Sequence, residues 1–260
     1  MPSLLRDLWS EARAAAAGVI FDDACALCQV PGVAGVLPAL CGSCAKALPR
    51  LEEPRCGLCG EWFVGTIPGP FRCTNCAGRR FAFDFAIAPF KARAGVRELV
   101  HRFKYQRQLW LSETLGALLA EALRGPRADP RLAADGGWLL VPVPLHPRRL
   151  REREFNQALE LAAVAGRLTG HPVADVLRRT RYTTGQASLT RKDRLDNLRG
   201  AFRLQRAWPW RSGGRAAVAG RSVLLLDDVF TTGATTHECA RVLRKFGGAK
   251  RVVALTLARG

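Results

Sequence analysis

Asp227 and Asp228 stand side by side at the end of an apolar run, and Thr231, Thr232, Gly233, Ala234 and Thr235 follow at once. Adjacent carboxylates can accept hydrogen bonds from the vicinal hydroxyls of a sugar, or hold Mg²⁺ through water. Three hydroxyls around one glycine, just ahead of a helical segment, make a nest for phosphate at the positive end of a helix. The stretch Val223–Thr236 thus has the chemistry of a sugar-phosphate site. An ordinary strand and turn with a capping threonine explains it less well, because a plain turn needs neither paired acids nor three hydroxyls. Neither G-x-x-x-x-G-K-[ST] nor G-x-G-x-x-G occurs, so an NTPase loop and a dinucleotide fold are not indicated.

A second chemistry sits near the N-terminus. Eight of the nine cysteines form four CxxC pairs: Cys25/Cys28, Cys41/Cys44, Cys56/Cys59 and Cys73/Cys76. One such turn points two thiolates at one ion, and two turns complete the S₄ tetrahedron that suits structural Zn²⁺. Sequential pairing gives Cys25, Cys28, Cys41 and Cys44 one ion and Cys56, Cys59, Cys73 and Cys76 another; interleaved pairing has the same spacing. Disulfides of a secreted chain fit less well, since nothing resembles a secretory signal. A closed S₄ site leaves no position for substrate, so this metal is expected to fold the segment and not to catalyse. Cys239, outside the pairs, is expected to be a small buried residue.

These groups need a scaffold. Ser222–Leu226 is continuously apolar, as in a central parallel strand covered on both faces. A helix over Thr236–Phe246, stopped by Gly247 and Gly248, and a strand over Arg251–Leu257 complete a βαβ unit. Upstream, Phe81–Phe90 reads as a strand and Gly95–Phe103 as a helix delivering Lys104. Leu111–Leu123 reads as a second helix and Gly125–Gly137 as a linker. Trp138–Val143 is a strand closed by a rigid turn with Pro142, Pro144 and Pro147, before a helix from Asn156 onward. The alternation defines an α/β fold with a parallel sheet flanked by helices.

At 260 residues and 48% hydrophobic content the chain can bury a full α/β core and carry a small metal-held module. Leu4, Leu5, Leu8 and Trp9 suggest a short amphipathic helix within residues 1–20. No apolar run reaches the roughly 18 residues of a membrane span, so no membrane insertion and a cytoplasmic location are expected. Forty Lys and Arg against 22 Asp and Glu give a net charge of +18. The excess clusters at Arg79–Arg107 and Arg178–Arg206, a field that attracts sugar-phosphate anions or a nucleic-acid backbone. A chain rich in Arg and Ala throughout would also show it through solvated surface arginines. Phe103, Tyr105 and Trp110, interleaved with this charge, have the chemistry to stack bases or to fill a core.

The Val223–Thr236 stretch resembles the phosphoribosyl diphosphate (PRPP) signature of type I phosphoribosyltransferases: hydrophobics, two acids, then V-x-T-T-G-x-T. That resemblance implies that Asp227 and Asp228 hold the ribose hydroxyls as catalytic residues. Val229 and Phe230 would bind substrate with Thr231–Thr235, which would cradle the 5′-phosphate. Over nearly all of residues 20–260 the chain resembles the ComF family of competence proteins, through the CxxC pairs, HRFKYQ, VPVPLHPRRLREREFNQA, QASLTRKDRLDNLRGAF and LLLDDVFTTGATT. The resemblance implies a type I phosphoribosyltransferase fold over residues 81–260 with a zinc-ribbon domain, its ligands all cysteine, over residues 21–80. It places a pyrophosphate loop on Pro144, Leu145 and His146 with Arg149 and Arg153, and makes Lys104 a further pyrophosphate contact. Thr183–Arg194 matches a loop that closes over PRPP, bringing Gln186, Arg191 and Arg194 to the ligand. Many relatives have glycine where this chain has Glu154. The implied activity transfers ribose 5-phosphate from Mg²⁺-bound PRPP to an unidentified acceptor with release of pyrophosphate. The alternative is a non-catalytic, PRPP-responsive factor that binds single-stranded DNA or docks a partner. Implied partners are single-stranded DNA, a competence helicase and a recombination mediator.

Overall fold

The computed structural model describes residues 24–33, 37–133, 135, 137–183, 197–206 and 213–260. The N-terminal helix expected within residues 1–20 and the expected ligand contacts Gln186, Arg191 and Arg194 lie outside them.

Five strands form one parallel sheet. The middle strand β6 (Ser222–Phe230) lies between β3 (Trp138–Pro142) and β7 (Arg251–Arg259), and the short strands β1 (Ala86–Ile87) and β2 (Phe90–Lys91) both pair with the far side of β7. The segment expected as one strand, Phe81–Phe90, is therefore divided between β1 and β2. All five residues of β3 are buried, and so is β6 from Ser222 to Leu226, in agreement with their unbroken apolar runs.

The ladder explains why β6 is longer than its apolar run. Asp227 pairs with Thr256, Val229 with Ala258 and Phe230 with Arg259, so β7 carries the strand through the acid pair into the turn. The helix that follows, α7 (Ala234–Lys245), starts at Gly233.

The helices whose full length lies among the described residues are α1 (Gly42–Lys46), α2 (Ala94–Tyr105), α3 (Leu111–Ala120), α4 (Pro147–Arg153), α5 (Gln157–Thr169) and α6 (Gly214–Val218), ahead of α7. Helix α3 packs closely on α5: a Cβ on Gly116 would lie 2.5 Å from the Val164 Cβ, which leaves room only for hydrogen. Helix α4 replaces the rigid turn expected after β3. Pro147 stands at its first position, where a missing N–H costs nothing, and His146 caps it by accepting from the Arg148 N–H at 3.2 Å. The expected linker is also ordered in part, with Asp129 capping a 3₁₀ turn at Pro130–Leu132. A separate two-stranded antiparallel ribbon joins β4 (Leu177–Arg179) and β5 (Phe202–Leu204).

One hydrophobic cluster runs from the cysteine-rich segment into the sheet, joining Cys25, Leu40, Cys59 and Cys76 to Phe90, Phe103 and the β6 and β7 leucines. No helix among the described residues is long and apolar enough to cross a membrane.

Candidate functional site

The acid pair emerges where β6 leaves the core. Asp228 is buried and Asp227 half-buried. The Lys104 Nζ, delivered by the last turn of α2, lies 2.7 Å from Asp228 Oδ2. That oxygen has no other partner among the described residues, so the ion pair is what satisfies it. The Asp227 Oδ1 accepts the Asp228 N–H at 2.9 Å, and Asp227 has no ion-pair partner among the described residues. Burial first, and then the neighbouring Asp228 charge, push the Asp227 carboxyl up to about 7, with Lys104 opposing.

The turn after β6 is fixed by packing. Gly233 has φ +75°, the left-handed region, and a Cβ there would lie 2.7 Å from the Phe230 Cζ. Glycine is thus needed twice, for its backbone angle and for the ring beneath it. Phe230 is buried and faces the Phe83 ring edge-on at 5.8 Å. Thr231 is exposed, Thr232 and Thr235 half-buried, and Thr232 Oγ1 accepts the Ala234 N–H at 3.4 Å, opening the twelve-residue helix α7. The amides at that helix start offer the partial positive charge that anions seek.

Across β3 the loop expected to meet pyrophosphate is pinned at both ends. The Val143 N–H donates to Leu226 O at 2.8 Å, and Asn156 Nδ2 donates to Val143 O at 3.1 Å while its Oδ1 caps α5. Pro144 is buried; Leu145 and His146 are half-buried. Burial, followed by the charges of Arg179, Arg151 and Arg148, keeps His146 below its ordinary pKa. Glu154 takes φ +70° and closes α4 by donating its N–H to Leu150 O at 2.7 Å, so the backbone turn that glycine would ease is made here by glutamate.

Lys104, Arg149 and Arg153 share a cavity of about 320 Å³. Sequence reasoning missed two residues. One is Asn156, whose FNQ context signalled only a helix start. The other is Arg179 on β4, whose guanidinium pKa is lowered by burial and by Arg149 and held up in part by the Asp227 charge. Only the tertiary fold brings Arg179 to this edge. Phe103 is fully buried against the Phe155 ring at 5.1 Å, so of the two aromatics on this side only Tyr105, 63% exposed, faces outward.

The cysteines assemble as two sequential groups, Cys25/Cys28/Cys41/Cys44 and Cys56/Cys59/Cys73/Cys76, each with its sulfurs within 4.8 Å of one another. Cys28 and Cys41 Sγ are 3.7 Å apart and Cys59 and Cys73 Sγ 3.6 Å. A tetrahedron with Zn–S of about 2.3 Å sets its sulfurs about 3.8 Å apart, so both donor sets fit Zn²⁺. The Cys41 N–H donates to Cys25 Sγ at 3.4 Å and the Cys73 N–H to Cys56 Sγ at 3.3 Å. Burial alone would raise Cys25 and Cys56, but these and further backbone amides outweigh it and draw them down to about 6 and about 7. Cys239 is buried and its thiol is pushed well up by that burial, as expected of a packing residue.

A phosphoribosyltransferase-type signature on a parallel sheet, with two four-cysteine groups ahead of it, defines the class: an α/β protein with an N-terminal pair of metal-binding modules. No protein-family model matches the chain. It is 32% identical over 212 residues to competence protein F of Haemophilus influenzae, covering 80% of this chain and 85% of that protein. The chain belongs to the competence protein F family. It is also 29% identical over 227 residues to the DNA utilization protein YhgH of Escherichia coli K12, covering 86% and 92% of the two chains. With competence protein ComFC of Bacillus subtilis it shares 27% over 232 residues, 85% and 84% of the two. Superposition on the allosteric regulatory enzyme of purine biosynthesis gives a TM-score of 0.34 at 20% identity, over 57% of this chain and 25% of that one, a likeness too slight to carry an argument.

Proposed function

We propose that this protein binds PRPP at the carboxyl edge of its sheet and transfers ribose 5-phosphate to an acceptor in the course of DNA uptake or utilisation in the cytoplasm. The observation that carries the reading is the end of β6, where an acid pair, half-buried Asp227 and buried Asp228, runs into a turn locked at Gly233 and the start of α7. The DNA context is supported by the names of the relatives, competence protein F and DNA utilization protein.

In this reading Asp227 and Asp228 accept hydrogen bonds from the two ribose hydroxyls. Thr231–Thr235 and the α7 amides hold the 5′-phosphate. Arg149, Arg153 and His146 face the diphosphate, and their positive field stabilises the charge that builds on the leaving pyrophosphate as its bond to C1 breaks. Mg²⁺, when bound with the substrate, would neutralise the diphosphate, and Asp227 is the carboxylate without an ion-pair partner available to meet it. Zn²⁺ in the two four-cysteine groups has a structural part.

Calorimetric titration with Mg²⁺–PRPP tests the reading. Saturable binding to the intact protein, lost in Asp227→Asn/Asp228→Asn while its melting curve stays cooperative, is expected; unchanged affinity in the double variant sinks it. Affinity is expected to rise as pH passes through about 7, because Asp227 must lose its proton to take the hydroxyls. The ligand-free protein behaves oppositely. Its folded state keeps a proton on Asp227 that the unfolded chain releases near the ordinary carboxylate pKa of about 4, so this contribution to stability is full below that pH and fades up to about 7.

A further inference from the structure

The cavity beside the acid pair is larger than a pyrophosphate needs, and its lining is cationic and aromatic but for Glu152, whose carboxylate is paired with Arg148. Its volume of about 320 Å³ falls at the low end of the roughly 300–1,000 Å³ usual for sites that enclose small organic ligands. One wall is cationic. Arg149 and Arg153 stand one turn apart on α4, half-buried, with no ion-pair partner among the described residues. Other cations nearby are already engaged: Lys104 by Asp228, Arg107 by Glu154 at 2.5 Å, and Arg148 by Glu152 at 3.2 Å. Two unpaired, partly desolvated guanidiniums on one helix face call for an anion with more than one acidic oxygen group.

The other wall is aromatic. The chain has two tyrosines in all, and both, Tyr105 and Tyr182, line this cavity. Their rings already hold planar cations: the Arg153 guanidinium lies 5.1 Å from the Tyr105 centroid and that of Arg148 lies 4.8 Å from Tyr182, whose ring also meets His146 edge-on at 5.2 Å. Rings that stack a flat guanidinium offer the same π-face to a flat heterocycle.

We propose that this cavity is a binding site for a nucleoside di- or triphosphate, with its phosphates on Arg149 and Arg153 and its base against Tyr105 and Tyr182. The phosphates would use the arginines that the PRPP reading gives to pyrophosphate, so the two ligands exclude each other. The binding itself stands on the cavity alone; only the exclusion rests on the PRPP reading.

Because both tyrosines face the site, replacing them with 3-fluorotyrosine gives two ¹⁹F resonances, assigned with Tyr105→Phe and Tyr182→Phe, that report on nothing else. ADP and UDP are titrated into the zinc-loaded full chain, beside pyrophosphate and ribose 5-phosphate. At least one nucleotide should move both resonances saturably, further than pyrophosphate does, and Arg149→Ala/Arg153→Ala should weaken it tenfold or more. The proposal is overturned if neither nucleotide moves them beyond the pyrophosphate shift, or if only an oligothymidylate strand does. Nucleotide shifts that Mg²⁺–PRPP cannot reverse would keep the cavity and refute the PRPP placement. Calorimetric PRPP binding with silent tyrosines would do the converse.

Discussion

The two four-cysteine groups share one motif and one amide-to-sulfur bond each, and differ in burial and in how they join the rest of the chain. In the first, Cys25 is buried, Cys41 and Cys44 are half-buried and Cys28 is exposed; in the second, all four cysteines are buried. The first meets the α/β core through few polar links, among them Ala39 N–H to Thr114 Oγ1 at 3.1 Å and Arg102 to the Ala26 carbonyl. The second is joined to the sheet itself. Ala86 of β1 donates its N–H to Leu58 O at 2.8 Å. Arg259, the last residue of β7 and 2% exposed, donates to Cys59 O at 3.1 Å and to Phe230 O at 3.2 Å, and pairs with Glu61. The same spacing of cysteines therefore builds a clasp near the surface in one case and a foundation under the Phe230–Gly233 turn in the other.

The largest expected effect comes from breaking the foundation. Structural zinc is worth about 10–16 kcal/mol in small zinc-binding peptides, as much as or more than the whole stability of a typical domain. Cys56→Ser/Cys76→Ser is expected to abolish the cooperative melt, whereas Cys25→Ser/Cys44→Ser keeps it together with one equivalent of zinc. Equal losses in the two variants would erase the contrast. Next comes Arg259→Met, which strands the half-buried Glu61 carboxylate and the Cys59 carbonyl, the Phe230 carbonyl keeping the Gly260 N–H; this should cost about 3 kcal/mol and speed amide exchange at Thr231–Thr235. Exchange that quickened only around Cys59 would show that the arginine does not reach the turn.

A smaller effect is expected of Thr114→Val, which leaves the buried Ala39 N–H without an acceptor, about 1–2 kcal/mol by thermal or denaturant melting. Chelator challenge should then release one zinc well before the other, and Thr114→Val should hasten only the early phase. Last is Arg50→Gln, which breaks the bridge to Glu121 at 2.7 Å between partly exposed side chains and should cost under about 1 kcal/mol, more at low salt than at high.

The sequence carried some of this outright. The apolar run of β6, the acid pair and the glycine turn are contiguous, so pattern alone placed them, and the sequential cysteine grouping followed from the simplest reading of the spacing. Other parts depend on partners distant along the chain. The length of β6 is set by β7, which a single-strand pattern does not contain. Helix α4 was hidden by its prolines, which read as a rigid turn although one of them starts a helix. Arg179 and Arg149 approach each other only through the tertiary fold, and Phe103 and Tyr105, two residues apart, divide between core and cavity by the rotation of one helix. At Glu154, where many relatives have glycine, the helix end imposes the left-handed turn on glutamate.

Strand β6 occupies the middle of its sheet, paired with β3 as far as Leu226 and with β7 on through Asp227 to Phe230. Its carboxylates have no private hinge: displacing them by even one register would mean unzipping two ladders at once, an opening that costs nearly as much as unfolding the domain. The amide protons of the doubly paired run just ahead of them, Val223–Leu226, should rank among the last to exchange. Whatever adaptation a ligand requires must come from the arginine side, where long side chains on a short helix can re-aim freely, so inherited changes in what this protein accepts should accumulate on α4 while the acid pair stays put.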